Sequence, residues 1–123
     1  LPRQAVELLR DLRNLTGGYP LLFPGRSDTT KPRSNTVFLM ALRRLGYEGR
    51  QTGHGFRHIA STILNEQGFD ENHIEAQLSH VKEGIAGVYN KAQYLAQRAT
   101  MMQWYADYQD TLAKGNVVSI KRA

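Results

Sequence analysis

Apolar and polar residues alternate along the chain mostly at helical spacing. The opening stretch QAVELLRDLRNL places Val6, Leu9 and Leu12 or Arg13 near one face, and Pro2 suits a first helical turn. Gly17-Gly18 predicts its stop. A second helix is expected from Ser34 or Asn35, either of which can cap it, through Val37, Phe38, Met40, Ala41 and Leu45 to a stop at Gly46. A third should begin close to His54 and run to Gly68, with Phe56, Ala60, Ile63 and Leu64 as its apolar face. Asp70 is placed to cap a short fourth helix, ENHIEAQL. A linker with Gly84 and Gly87 leads to Tyr89, and a long helix, AQYLAQRATMMQWYADYQDTLAK, ends at Gly115.

Two stretches do not follow the helical period. YPLLFPGRSDTTKPRS holds three of the four prolines and reads as an irregular loop with a short buried segment, Leu21 to Phe23, and with Arg26, Lys31 and Arg33 among its polar positions. At the other end, Val117, Val118 and Ile120 alternate like a short strand with no partner of its own. That strand is either a docking segment for a sheet supplied from elsewhere or a frayed tail. The fold class expected is mainly α, one domain over 1–123 with 115–123 as its tail.

Composition narrows the class. Hydrophobic residues make up 41% of 123 positions, enough for one core. No apolar run approaches the roughly 18 residues of a membrane span, and the amphipathic, acid-bearing start does not suit a signal peptide. Without cysteine, disulfides and thiolate zinc sites are excluded, in keeping with a cytoplasmic protein. A net charge of +5 and a pI of about 9.7 favour a polyanionic partner such as nucleic acid.

All four histidines fall between Thr52 and His80. His54 and His58 have a spacing that can hold zinc, but Arg57 would place a positive charge beside the ion and no HExxH is present. The alternative ligand is phosphate. His54 and Arg57, at i and i+3 in a first turn, point to one side of a helix whose free N–H groups and dipole attract anions. Arginine grips phosphate oxygens bidentately, and histidine donates to another oxygen or carries a proton. Ordinary packing of the histidines is the third reading. For His58 a structural role is expected, and for His73 simple solvation. Trp104, Tyr105 and Tyr108, with Met101 and Met102, recur at a spacing typical of helix packing.

HGFRHIASTILNEQG, then IEAQLSH, then GVYNKAQYL resemble the catalytic C-terminal half of a tyrosine recombinase, and the extension YNKAQYLAQRATMMQWYADY is similar to phage and genomic-island integrases, especially the satellite-phage type. The resemblance runs from Gln4 to Asp110. It implies the C-terminal helical part of that family's catalytic domain, and attack of a tyrosine hydroxyl on a DNA phosphodiester to give a 3′-phosphotyrosyl link. It assigns Tyr89 as nucleophile, Arg57 as the second catalytic arginine, His54 as the histidine of HxxR and His80 as a further contact to the scissile phosphate. Tyr94 is the rival nucleophile and is expected to pack.

The same resemblance implies double-stranded DNA as partner, a homotetramer of the parent protein on DNA, accessory proteins for DNA bending and excision, no metal and no cofactor. Family members also use an earlier arginine and a lysine on a β-hairpin. Neither Arg3 nor Arg10 fits those contexts, so the chain reads as a fragment, nearly inactive alone. Lys82, Lys91, Arg43, Arg44 and Arg50 are candidates for DNA phosphate contacts, Lys82 foremost, with a solvated basic face as the alternative. Two rival functions remain: a type IB topoisomerase-like enzyme, and a basic helical module that binds DNA without cutting it.

Overall fold

The computed structural model describes residues 1–79 and 93–115. Among them lie five helices: α1 (Arg3–Thr16), α2 (Val37–Arg44), α3 (Gly53–Glu66), α4 (Glu71–Leu78) and α5 (Leu95–Ala113). No strand forms among the described residues; an isolated antiparallel bridge joins Pro24 and Pro32. The helical class is the one the periodicity predicts. The strand pattern at Val117 to Ile120 falls outside the described residues. The chain groups into two compact units, Arg3–Phe56, and Arg57 onward together with Leu1–Pro2.

In the Arg3–Phe56 unit, α1 turns Val6, Leu9 and Leu12 to its half-buried side and leaves Leu8 and Leu15 exposed. The loop that follows differs from expectation. Leu22 and Phe23 are exposed, Leu21 is half-buried, and Pro24 is the buried residue. The cause is a local closure that no apolar count reveals. The Gly25 N–H donates to the Lys31 carbonyl at 2.8 Å and the Arg33 N–H to the Phe23 carbonyl at 2.9 Å. Between them the Asp28 carboxylate accepts from the Thr30 N–H at 3.0 Å and the Thr30 hydroxyl at 2.6 Å. A side chain at Gly25 would run into the Asp28 carbonyl, 2.6 Å from where its Cβ would stand. The bridge accompanies a buried Pro24, while the neighbouring Phe23 is exposed. The Phe23 ring meets Phe38 of α2 edge-on, centroids 5.8 Å apart.

Helix α2 starts at Val37, later than the expected Ser34 or Asn35. Its N-cap, Thr36, is already helical and makes no side-chain cap bond. Ser34 instead orders the preceding turn, its Oγ accepting the Thr36 N–H at 3.3 Å while its carbonyl accepts the Val37 N–H at 3.1 Å. Leu42 is the buried residue of α2; Phe38, Met40 and Leu45 are exposed. Gly46, at φ +82°, ends the helical stretch as expected.

The second unit holds the tighter core. Helix α3 ends in a Schellman motif: the Phe69 N–H reaches the Leu64 carbonyl at 3.1 Å and the Gly68 N–H the Asn65 carbonyl at 2.9 Å. The left-handed turn falls on Gly68, at φ +77°, where an L side chain would be strained. The motif delivers Phe69 onto Leu64. Asp70 then caps α4, its Oδ1 accepting the Asn72 N–H at 2.8 Å. Leu64, Ile74 and Met101 form the buried centre, with Phe69, Leu78, Met102, Trp104 and Tyr105 packed around it. Burying side chains of this size stabilises by about 1.5 to 3 kcal/mol each. The expected apolar face of α3 holds in part: Leu64 is buried, Ala60 and Ile63 half-buried, and Phe56 exposed.

Candidate active site

The first turn of α3 carries His54, and Arg57 is the fifth residue of the helix. Thr52 precedes the helix, and its Oγ1 accepts the Gly55 N–H at 3.0 Å, while the Gln51 side chain accepts the Thr52 N–H at 3.0 Å. This is N-cap geometry, a hydroxyl on the third N–H of the helix. The remaining N–H groups of that turn keep the positive end of the dipole. His54 stands exposed in the turn, and Arg57 is half-buried one turn on. Positions three apart are neighbours on a helix, separated by about 60° of rotation. His58 is exposed in the same stretch.

His80, Lys82, Tyr89 and Lys91 lie outside the described residues. Their flanks do not. Ser79 terminates α4 at φ +53°, its N–H donating to the Glu75 carbonyl, and Tyr94 stands before α5 at φ +47°. The long helix therefore begins at Leu95, not at Ala92 as its pattern suggests, because the left-handed backbone at Tyr94 breaks the helical path. Tyr94 packs as expected, with its ring centroid 4.7 Å from that of His73. His73 is accordingly half-buried against an aromatic ring and is not the simply solvated residue expected. Arg98 donates from Nε to Gln77 Oε1 and from Nη1 to the Gln93 carbonyl, both at 3.0 Å.

The basic residues separate by environment. Arg43 pairs with Glu48 at 2.8 Å, an exposed ion pair. Arg50 is exposed. Arg44 lines a groove with Arg26 and Arg33, floored by Val37, Met40 and Ala41. Arg33 is held there by its Nε, which donates to the Pro24 carbonyl at 3.2 Å. Sequence reading places Arg26 and Arg33 in a loop without joining them to Arg44. The Asp-Thr-Thr turn between two prolines is the signal that closes the loop.

Among the described residues, three titrations are displaced. Hydrogen bonding from Thr30 lowers the Asp28 carboxyl below its ordinary value, and the Asn72 N–H does the same for Asp70. Burial raises the Tyr105 hydroxyl, against a smaller opposing hydrogen bond with Gln109. Among the described residues no cluster of three or more His, Asp or Glu side chains is arranged to hold a metal, and no helix is long and apolar enough to cross a membrane.

Residues 1–95 match the Phage integrase family. Over 117 residues the chain is 51% identical to prophage integrase IntZ of Escherichia coli (strain K12), covering 94% of this chain and 29% of that protein. It is 45% identical to the integrase of Shigella phage Sf6 over 109 residues, 87% of this chain and 28% of that one. With the integrase of Enterobacteria phage P4 it shares 42% identity over 115 residues, 89% of this chain and 26% of that one. The chain thus spans less than a third of the length of these relatives. No solved structure matches it. A family match over more than three quarters of the chain, with the HxxR pair on a capped helix start, leads to one conclusion: the chain belongs to the phage integrase family.

Proposed function

We propose that this chain is the C-terminal helical part of an integrase catalytic domain that recombines DNA at specific sites through a 3′-phosphotyrosyl intermediate. The observation that supports the reading is the capped start of α3, the helix to which His54 and Arg57 both belong at i and i+3. Such an arrangement suits the charge that builds on a phosphate oxygen as phosphorus becomes pentavalent. The Tyr89 hydroxyl attacks phosphorus and the P–O5′ bond breaks. The tyrosine proton leaves as the 5′-oxygen gains one, giving a free 5′-hydroxyl. The phosphotyrosyl bond retains the energy of the diester, so a 5′-hydroxyl of the partner strand reverses the step without ATP. Arg57, His54 and His80 donate hydrogen bonds to the non-bridging oxygens, and these donors take the role a metal plays in other phosphoryl transfers.

Double-stranded DNA is the partner, and strand exchange in pairs calls for four protomers on two duplexes, assisted by DNA-bending and excision proteins. Arg44, Arg43, Arg50, Lys82 and Lys91 contact its phosphates, and the groove adds Arg26 and Arg33. The test uses full-length protein containing this chain on nicked junction DNA, where a cleaved strand cannot be rejoined. An adduct on a denaturing gel that is lost in Tyr89→Phe and kept in Tyr94→Phe supports the reading. Loss only in Tyr94→Phe moves the nucleophile, and tight binding without any adduct favours a module that does not cut.

A further inference from the structure

Glycine brackets His54 on both sides at the start of α3, and after proline it is the residue least disposed to a helix. Neither Gly53 nor Gly55 has the positive φ that calls for glycine; among the described glycines that conformation falls on Gly46, Gly49, Gly68 and Gly115. A Cβ at Gly53 would meet nothing within 4 Å. A Cβ at Gly55 would fall on Oε1 of Gln51, a half-buried residue just ahead of the helix.

That oxygen is engaged. It accepts the Thr52 N–H at 3.0 Å, and the Thr52 Oγ1 in turn accepts the Gly55 N–H at 3.0 Å. Gln51 is itself held from behind, since its N–H and that of Arg50 both donate to the Tyr47 carbonyl, at 3.1 and 3.0 Å. A chain of hydrogen bonds thus runs from the turn after α2 to the third residue of α3, and it encloses His54. Glycine gives up more backbone freedom than any other residue on entering a helix, so a Gly-His-Gly turn depends on such an outside hold. The dependence is local. His54 is the second residue of the helix, where ends fray, whereas Arg57 is the fifth and has a full turn before it.

We propose that Thr52, backed by Gln51, is a positioning residue for His54: its hydroxyl keeps the Gly53–Gly55 turn helical and so fixes the direction from which the imidazole meets the scissile phosphate, while Gly55 leaves room for the Gln51 amide. This role rests on the assignment of His54 to that phosphate. The cost of Gly55→Ala is not the collision itself, because the end of a glutamine can move. In moving, it gives up the Thr52 N–H.

The experiment times adduct formation in a single turnover on nicked junction DNA at saturating DNA, with thermal unfolding measured beside it. It uses full-length protein containing this chain, as wild type and as Thr52→Val, Thr52→Ser, Gly55→Ala, His54→Ala, Tyr89→Phe and the double variant Thr52→Val/His54→Ala. Removing a donor to a developing oxyanion costs about a hundredfold or more, the loss expected for His54→Ala. Thr52→Val, which keeps the branched shape without the hydroxyl, should lose about tenfold, and Thr52→Ser, which keeps the hydroxyl, less than about threefold. In the double variant the valine should add less than about twofold to the loss of His54→Ala, because a turn without its imidazole has nothing left to position. Gly55→Ala should slow the adduct without lowering the unfolding temperature, since alanine is the better helix former.

A full tenfold loss on top of His54→Ala overturns the proposal, in favour of a cap that supports the fold alone. Wild-type rates in Thr52→Val and Gly55→Ala, with His54→Ala impaired, overturn it while leaving His54 in place. Where Thr52→Val does not fold or the double variant is too slow to time, Gly55→Ala decides: a wild-type rate overturns the proposal, and a slowed adduct at an undiminished unfolding temperature supports it. His54→Ala at the wild-type rate, with no adduct in Tyr89→Phe, removes the role of His54 and this proposal with it but keeps the recombinase reading. A wild-type protein without adduct overturns both.

Discussion

The Phe69 ring lies 5.1 Å from the Trp104 indole, centroid to centroid, tilted by 59°. The pair joins the turn after α3 to the middle of α5, and it exists because the Schellman motif fixes where Phe69 emerges. Phe69→Ala is expected to cost roughly 2 to 3 kcal/mol, less than for a fully buried phenylalanine because Phe69 is only half-buried. Trp104 is the one tryptophan of the chain, so urea unfolding followed by its fluorescence reads both the reduced stability and the wetter indole.

Ser79 carries the opposite prediction. A left-handed L-residue is disfavoured by about 1 to 2 kcal/mol. Replacing it with glycine removes that strain but adds unfolded-chain freedom worth about 0.5 to 1 kcal/mol. The difference favours Ser79→Gly by up to about 1.5 kcal/mol, seen as a raised unfolding temperature. A lowered one would mean that the serine side chain contributes more than its backbone costs.

Acid should loosen the α4 unit through Asp70. Its carboxyl titrates below the ordinary 3.8 because the folded form gives it the Asn72 N–H. A group whose folded value is depressed stabilises above the unfolded value and loses that contribution as pH falls toward the folded one. Asp28 acts in the same direction in the loop, through Thr30. Asp70→Asn keeps an acceptor at the cap without the charge, so unfolding measured from about pH 6 to about pH 2 should show a shallower acid decline than wild type.

The groove of Arg26, Arg33 and Arg44 should reveal itself through salt. Replacing all three by alanine is expected to reduce the slope of log affinity against log salt by about 0.9 for each phosphate no longer neutralised, and to weaken binding alike on cognate and unrelated duplexes. Fluorescence anisotropy at several salt concentrations checks both. An unchanged slope would show that these arginines form a merely solvated face.

Much of the fold is legible in the sequence, and the differences share a cause. Asp70, Gly46 and Gly68 act on their own neighbours, so their caps and stops follow from local chemistry. The presence of His54 and Arg57 on one helix is legible for the same reason, since the period of α3 runs through both. The exposure of Leu22 and Phe23 is not, since their orientation is set by backbone bonds between Phe23 and Arg33 and between Gly25 and Lys31. The pattern of α5 predicts a start at Ala92; its actual start depends on how Tyr94 meets His73 and on what Arg98 reaches. Arg26, Arg33 and Arg44 come together only once the loop has closed. Non-local hydrogen bonds decide each of these, and hydrophobic periodicity carries no record of them.

The bond from Arg33 to the Pro24 carbonyl has a further consequence. A long arginine side chain has many rotamers, and immobilising one upon binding costs roughly 0.5 to 1.5 kcal/mol of affinity. Arg33 has given up part of that freedom already, on folding, to a carbonyl inside its own loop. Its remaining guanidinium nitrogens therefore meet an anion with a smaller entropic loss than those of Arg26, for which the loop provides no such tether. Two arginines of one groove, equal in charge, would then differ in affinity through the order imposed before the ligand arrives.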